Sequence, residues 1–218
     1  MKMKKNCKRI KEFCAENFEH IPQAINAGAS RIELCDNLAE GGTTPSYGVI
    51  KQTLMYTKEK KVPTMVMIRP RGGNFEYDEA EAAIMKADVE ICKALHVEGI
   101  VFGCLKDGWL DEKLIKELLN QAENLLVTFH MAFDELSVEN QSKAIDWLVD
   151  HGVERILTHG GSAQNTIIEN IPHLKELISY ADGRIIILPG AGIRSDNVDQ
   201  VFEQLNLSEA HGTRTVSF

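Results

Sequence analysis

Short β-branched apolar runs alternate with amphipathic segments of helical length along the whole chain, and this alternation limits the fold more than any other feature. Eight such runs are recognisable, at 10–16, 30–35, 63–69, 99–104, 125–133, 154–159, 184–188 and 208–212. Their starts recur every 20 to 35 residues or so, the spacing of βα units. Between them, Asp78 to Leu95 sets Ala82, Met85, Val89 and Cys92 on one stripe with charged residues opposite, the pattern of a helix packed on a sheet. Asp111 to Ala122 repeats it with Leu114, Leu118 and Leu119, and Asn140 to Val149 with Ala144, Ile145 and Leu148. Ser46, Ser137 and Ser195 read as helix N-caps, and Gly28, Gly99 and Gly152 fall near helix-to-strand transitions.

Eight strands with helical crossovers can close into a (βα)8 barrel or lie in an open doubly wound sheet. Most of the runs carry large apolar residues on one parity and charge on the other, as in Arg31, Glu33 and Cys35 against Ile32 and Leu34. A barrel accommodates this, because the apolar parity meets the helix ring while the other lines the interior and the mouth. The expected fold is therefore α/β, a single compact TIM barrel over residues 1–218, near the lower size limit of roughly 200 residues for that architecture. The six residues after Gly212 are too few for an eighth helix. Unless the N-terminal segment folds over it, the apolar flank left there would need another subunit, so a homo-oligomer, dimer or tetramer, is expected.

A net charge of −8 argues against nucleic acid or anionic membrane as partners, since both need a basic surface excess. The five cysteines are odd in number, widely spaced and accompanied by no secretory or membrane-spanning segment, which predicts reduced thiols in the cytoplasm. No CxxC, HExxH, Walker loop or GxGxxG occurs.

Applying the inward parity strand by strand collects Glu12 and Cys14, Glu33 and Cys35, Arg69, Thr128 and His130, and Glu209 and His211. Glu12, Glu33, Arg69, His130, Glu209 and His211 are the candidate catalytic set: carboxylates and histidines for acid/base work beside a cation that holds an anion or neutralises Glu33 or Glu209. The plain alternative is a satisfied polar core. Glycine-rich turns at Gly160 and Gly161, and at Gly190 and Gly192, offer backbone N–H groups to a phosphate or carboxylate, although small residues also simply permit sharp turns. Arg69, Arg71, Gly72 and Gly73 are a further anion candidate, and the loop from Asn37 to Pro45 is placed to cover the barrel mouth.

The runs RIELCDNLAEGGTTPS (Arg31 to Ser46), IRPRGGNF (Ile68 to Phe75), VFG (Val101 to Gly103), TFHMAFD (Thr128 to Asp134), RILTHGG (Arg155 to Gly161) and PGAGI (Pro189 to Ile193) occur in order across nearly the whole chain. Together they resemble the CutC family of copper homeostasis proteins. The resemblance implies a cytoplasmic, often oligomeric barrel and Cu(I) held by a cysteine on the first strand and one at the end of the second. The matching positions are Cys14 and Cys35. Thiolates suit Cu(I), and neighbouring strands about 4.8 Å apart bring two sulfurs within reach of one ion, unless barrel stagger separates them. Cys7, Cys92 and Cys104 fall in the terminus, on a helix stripe and at a strand end, and receive no role.

Two readings follow. Copper handling through Cys14 and Cys35 leaves the carboxylate, arginine and histidine cluster unused. An enzyme working by general acid/base catalysis on a small anionic or phosphorylated metabolite uses the cluster and leaves the cysteines as packing.

Overall fold

A computed structural model describes residues 9–162 and 164–218. Eight parallel strands form one sheet: β1 (Ile10–Glu16), β2 (Arg31–Cys35), β3 (Thr64–Met67), β4 (Gly99–Phe102), β5 (Leu126–Phe129), β6 (Arg155–Thr158), β7 (Ile186–Pro189) and β8 (Glu209–Gly212). Each strand from β1 to β6 pairs with its successor, β8 turns back to pair with β1, and β7 lies beside β8 without a hydrogen-bonded ladder. The result is a nearly closed barrel. Seven helices surround it: α1 (Ile21–Asn26), α2 (Tyr47–Lys60), α3 (Glu79–Leu95), α4 (Glu112–Ala122), α5 (Val138–Asp150), α6 (Ile171–Ala181) and α7 (Val198–Leu205). Cys7 lies outside the described residues.

The two parities separate as periodicity demands. Outward residues Phe13, Ala15, Ile32, Leu34, Val66 and Ile100 join the helix faces in the main apolar core. Helix starts are chemically specified: the Ser46 hydroxyl accepts from the Val49 amide, and Asp78 with Glu81 forms a reciprocal capping box on α3. Ser137 occupies the N-cap position of α5 without a side-chain hydrogen bond, and α7 starts from Asn197 and not from Ser195. Gly99 opens β4 where a Cβ would sit 2.5 Å from the Leu126 carbonyl oxygen, so only glycine lets these strands approach.

Two expectations are corrected and one element is added. The fifth strand stops at Phe129, where His130 turns the chain into a short 3₁₀ segment, Met131–Glu135, by accepting from the Ala132 amide. A small hairpin, Leu105–Lys106 with Trp109–Leu110, follows β4. The flank without an eighth helix is not open: Thr215 and Val216 are buried, and the Phe218 ring meets Phe13 edge-on at 5.9 Å. The tail thus covers β1 itself, and a second copy is not needed at that seam. No helix among the described residues is long and apolar enough to cross a membrane.

Candidate functional site

Inside the barrel the inward residues climb each strand in order: Arg31, Glu33, Cys35 on β2, then Glu12, Cys14 on β1 and Glu209, His211 on β8. At the N-terminal end the Arg31 guanidinium bonds both Glu12 and Glu209, the latter at 2.6 Å, and Arg155 on β6 donates to Glu209 at 2.8 Å. One step higher, His211 Nδ1 donates to Glu12 Oε1 at 2.8 Å while Nε2 faces Glu33 Oε2 at 3.6 Å. Above them the Cys14 and Cys35 sulfurs lie 4.0 Å apart, and the Cys35 sulfur is 3.5 Å from Glu33 Oε2. Met65, Met67, Val101 and Leu38 wall this thiol pair.

Protonation follows from burial and neighbours. Burial alone would raise Glu12, but the Arg31 charge and His211 outweigh it and hold the carboxyl down to about 2. Burial raises Glu33 well above the usual carboxylate range, with the Cys14 and Glu12 charges adding to it against His211. Burial opposes the His211 charge, yet Glu33, Cys14 and Glu12 raise it well above an ordinary histidine. The Cys35 thiol donates to Cys14 and, despite burial, His211 helps bring Cys14 down to about 5; Cys35 is pushed up in return. Arg31, Arg155 and His211 then balance Glu12, Glu209 and a Cys14 thiolate, while Glu33 and Cys35 keep their protons. A closed balance of this kind is what makes so many buried ionisable groups tolerable.

Glu12, Glu33 and His211 are thus brought together, with Glu209 attached through Arg31. Arg69 is elsewhere: it neutralises neither Glu33 nor Glu209, because its guanidinium is taken by the carbonyls of Glu40, Gly42 and Gly73 at 2.7 to 2.9 Å. It stacks on Phe75, which in turn contacts His130. Burial, then the Arg69 charge, pushes His130 down to about 3, so this histidine is a neutral cap. The true counterions, Arg31 and Arg155, stand at strand starts, and their alternation with Glu33 and with Leu157 was the only sequence signal for them.

The glycine turns divide as well. The Gly160 amide donates to Thr158 Oγ1 and the Gly190 amide to the Thr158 carbonyl. A Cβ on Gly160, Gly161 or Gly190 would meet Leu174, Asn170 or Leu157 at 2.4 to 2.7 Å, so close packing explains these three. At Gly192, with φ +71°, a Cβ would meet the Ile167 amide nitrogen at an ordinary 3.9 Å, so packing does not require glycine there. The loop from Asn37 does cover part of the mouth: Gly42 passes directly over Cys35, where a Cβ would be 3.2 Å from the sulfur.

Among the described residues two donor groups fit a metal: Cys14, Glu33 and Cys35, and Glu12, Glu33 and His211, each with ligand atoms within 4.8 Å of one another. Only the first is soft. Its sulfurs are closer than twice a metal–thiolate length of about 2.3 Å, so both reach one ion, and the buried Glu33 Oε1 has no hydrogen-bond partner among the described residues. Of the other described thiols, burial raises Cys92 to about 12 and holds Cys104 well above its ordinary value, which disfavours the reactive thiolate in both.

Fold and site define a (βα)8 barrel with a charge-balanced polar interior topped by a thiol pair. Residues 9–216 match the CutC family model, and the chain belongs to the CutC family. It is 61% identical over 208 residues to the CutC family protein of Enterococcus faecalis, covering 95% of this chain and all of that one. It is 40% identical to the human copper homeostasis protein cutC homolog, across 93% of this chain and 72% of the relative. A CutC crystal structure from Streptococcus agalactiae superposes with a TM-score of 0.92 at 45% identity, covering 94% of this chain and 99% of that one. An aldolase at 14% identity and a TM-score of 0.64 shares the barrel fold alone.

Proposed function

We propose that this chain is a copper-handling protein that binds Cu(I) through Cys14 and Cys35. The observation that carries the reading is the 4.0 Å approach of two sulfurs inside a wall of methionine and valine. Soft sulfur donors in a dry pocket favour Cu(I) over hard divalent ions, and Glu33 supplies a third donor atom. Binding displaces the Cys35 proton, so affinity rises with pH. Copper homeostasis is also what the names of the human and mouse relatives state. Anaerobic titration of the reduced protein against a competing Cu(I) chelator tests it: one tight equivalent in the wild type and loss of it in Cys14→Ser/Cys35→Ser is expected, and equal affinity in both overturns it.

A second reading, acid/base catalysis on a small anionic or phosphorylated metabolite, is favoured by one specific arrangement. His211 stands between the Glu12 carboxylate and the protonated Glu33 at the C-terminal side of the barrel, an acid and an imidazolium within one proton step of each other. Turnover that disappears in His211→Gln is its test.

The reading includes the cytoplasm, in keeping with the four free described cysteines, and self-association into a dimer or tetramer. Tyr47 and Met55 on α2 and Ile84 on α3, more than half exposed on neighbouring helices, support the latter. Sedimentation showing only monomer at micromolar concentration would remove it.

A further inference from the structure

A cavity of about 420 Å³ opens at the C-terminal mouth, bounded by Leu38, Met131 and the loops after β7 and β8, with His211 among its lining residues. Its lining contains no carboxylate. In a chain of net charge −8, the ionisable residues around this space are Arg194, Arg214 and His211. A parallel backbone bridge pairs Arg194 with Arg214, and the Ser195 amide donates to the Arg214 carbonyl at 2.7 Å, so the two residues start from neighbouring backbone positions and both line the cavity. Like charges placed across such a pairing repel. Arg194 has a partial partner in Asp196 at 3.2 Å, and Arg214 forms no ion pair among the described residues.

The loop after β7 adds donors. Ala191 and Gly192 have φ of +58° and +71°, and their amides donate to no backbone acceptor among the described residues. Alanine in the left-handed region is strained, and consecutive free amides of this kind form a concavity suited to an anion. The cavity floor is His211, which Gly190 approaches so closely that a Cβ there would be 3.2 Å from the ring.

We propose that this cavity binds a small organic anion, a carboxylate or a phosphate ester, held by Arg194, Arg214 and the Ala191 and Gly192 amides with its other end against His211. The inference extends the acid/base reading by naming where its anion sits, and it is independent of copper. Arg69, the sequence-based candidate for this role, is excluded by its three carbonyl partners. The anion neutralises the two arginines that line the cavity.

Calorimetric titration of the metal-free protein at fixed ionic strength, with inorganic phosphate in one arm and malonate in the other, tests the site by binding and not by turnover. Saturable binding of at least one probe is expected, weakened about tenfold in Arg214→Ala and further in Arg194→Ala/Arg214→Ala, as lost charged hydrogen bonds predict. Lys106→Ala, a cation outside the cavity, should leave it unchanged. Phosphate alone binding points to a phosphorylated ligand, and malonate alone to a carboxylate. Absence of saturable binding in both arms, or undiminished binding in the double variant, overturns the proposal. Both arginines are exposed, so the variants fold, and anion binding by a wild type that turns over no bound ligand would count against the acid/base reading only.

Discussion

Glu12 and His211, 199 residues apart in sequence, share a 2.8 Å hydrogen bond where the last strand pairs with the first. The bond fastens the two ends of the chain and sets the charge of the barrel interior. Because Glu12 is held at about 2 in the folded protein against 4.5 when free, its contribution is full above pH 4.5 and is lost as pH falls towards 2. Glu12→Gln is expected to lower stability at neutral pH and to flatten that acid limb. Chemical denaturation at several pH values reads both.

Arg31 bonds Glu12 and Glu209 at once, with both carboxylates buried. Arg31→Ala strands two anions in the interior, and a loss of about 3–5 kcal/mol is expected from denaturant midpoints. A cost below about 1 kcal/mol would mean that Arg155 alone neutralises Glu209 and that Glu12 takes up a proton.

Cys14 brought down to about 5 beside a raised Cys35 predicts one thiolate in the reduced protein at neutral pH. Thiolate absorbance in the ultraviolet should titrate with a midpoint near 5, vanish in Cys14→Ser, and leave Cys35 silent below pH 9. The folded state prefers the thiolate, so this group adds stability as pH rises from about 5 to 9, the range between its folded and free values.

Gly42 crosses above Cys35 with φ +90°, a conformation that side chains adopt at a cost of about 1–2 kcal/mol. Gly42→Ala should destabilise by that order and push the loop away from the sulfur. Faster alkylation of Cys35 than in the wild type is the accompanying signature.

The barrel and most of its interior were legible because strand periodicity is a property of the sequence: parity alone set Glu12, Cys14, Glu33, Cys35, Glu209 and His211 on one side. What parity does not encode is partnership. Arg31 and Arg155 read as ordinary strand starts, and only the barrel's closure brings them to Glu12 and Glu209. Arg69 looked like a counterion, but loop carbonyls claim it, and loop paths leave no periodic trace. Likewise His130 left the strand pattern because a 3₁₀ turn begins there, and the Arg194 and Arg214 pair arises from a bridge between segments twenty residues apart.

The central claim is that one Cu(I) sits between Cys14 and Cys35. X-ray absorption spectroscopy of the anaerobic, Cu(I)-loaded protein tests it most directly, because it reads the atoms around the metal. The expected result is a first shell with at least two sulfurs per copper, reduced by one in Cys35→Ser. A shell of nitrogen and oxygen only, or a sulfur shell unchanged in Cys14→Ser and Cys35→Ser, would contradict it.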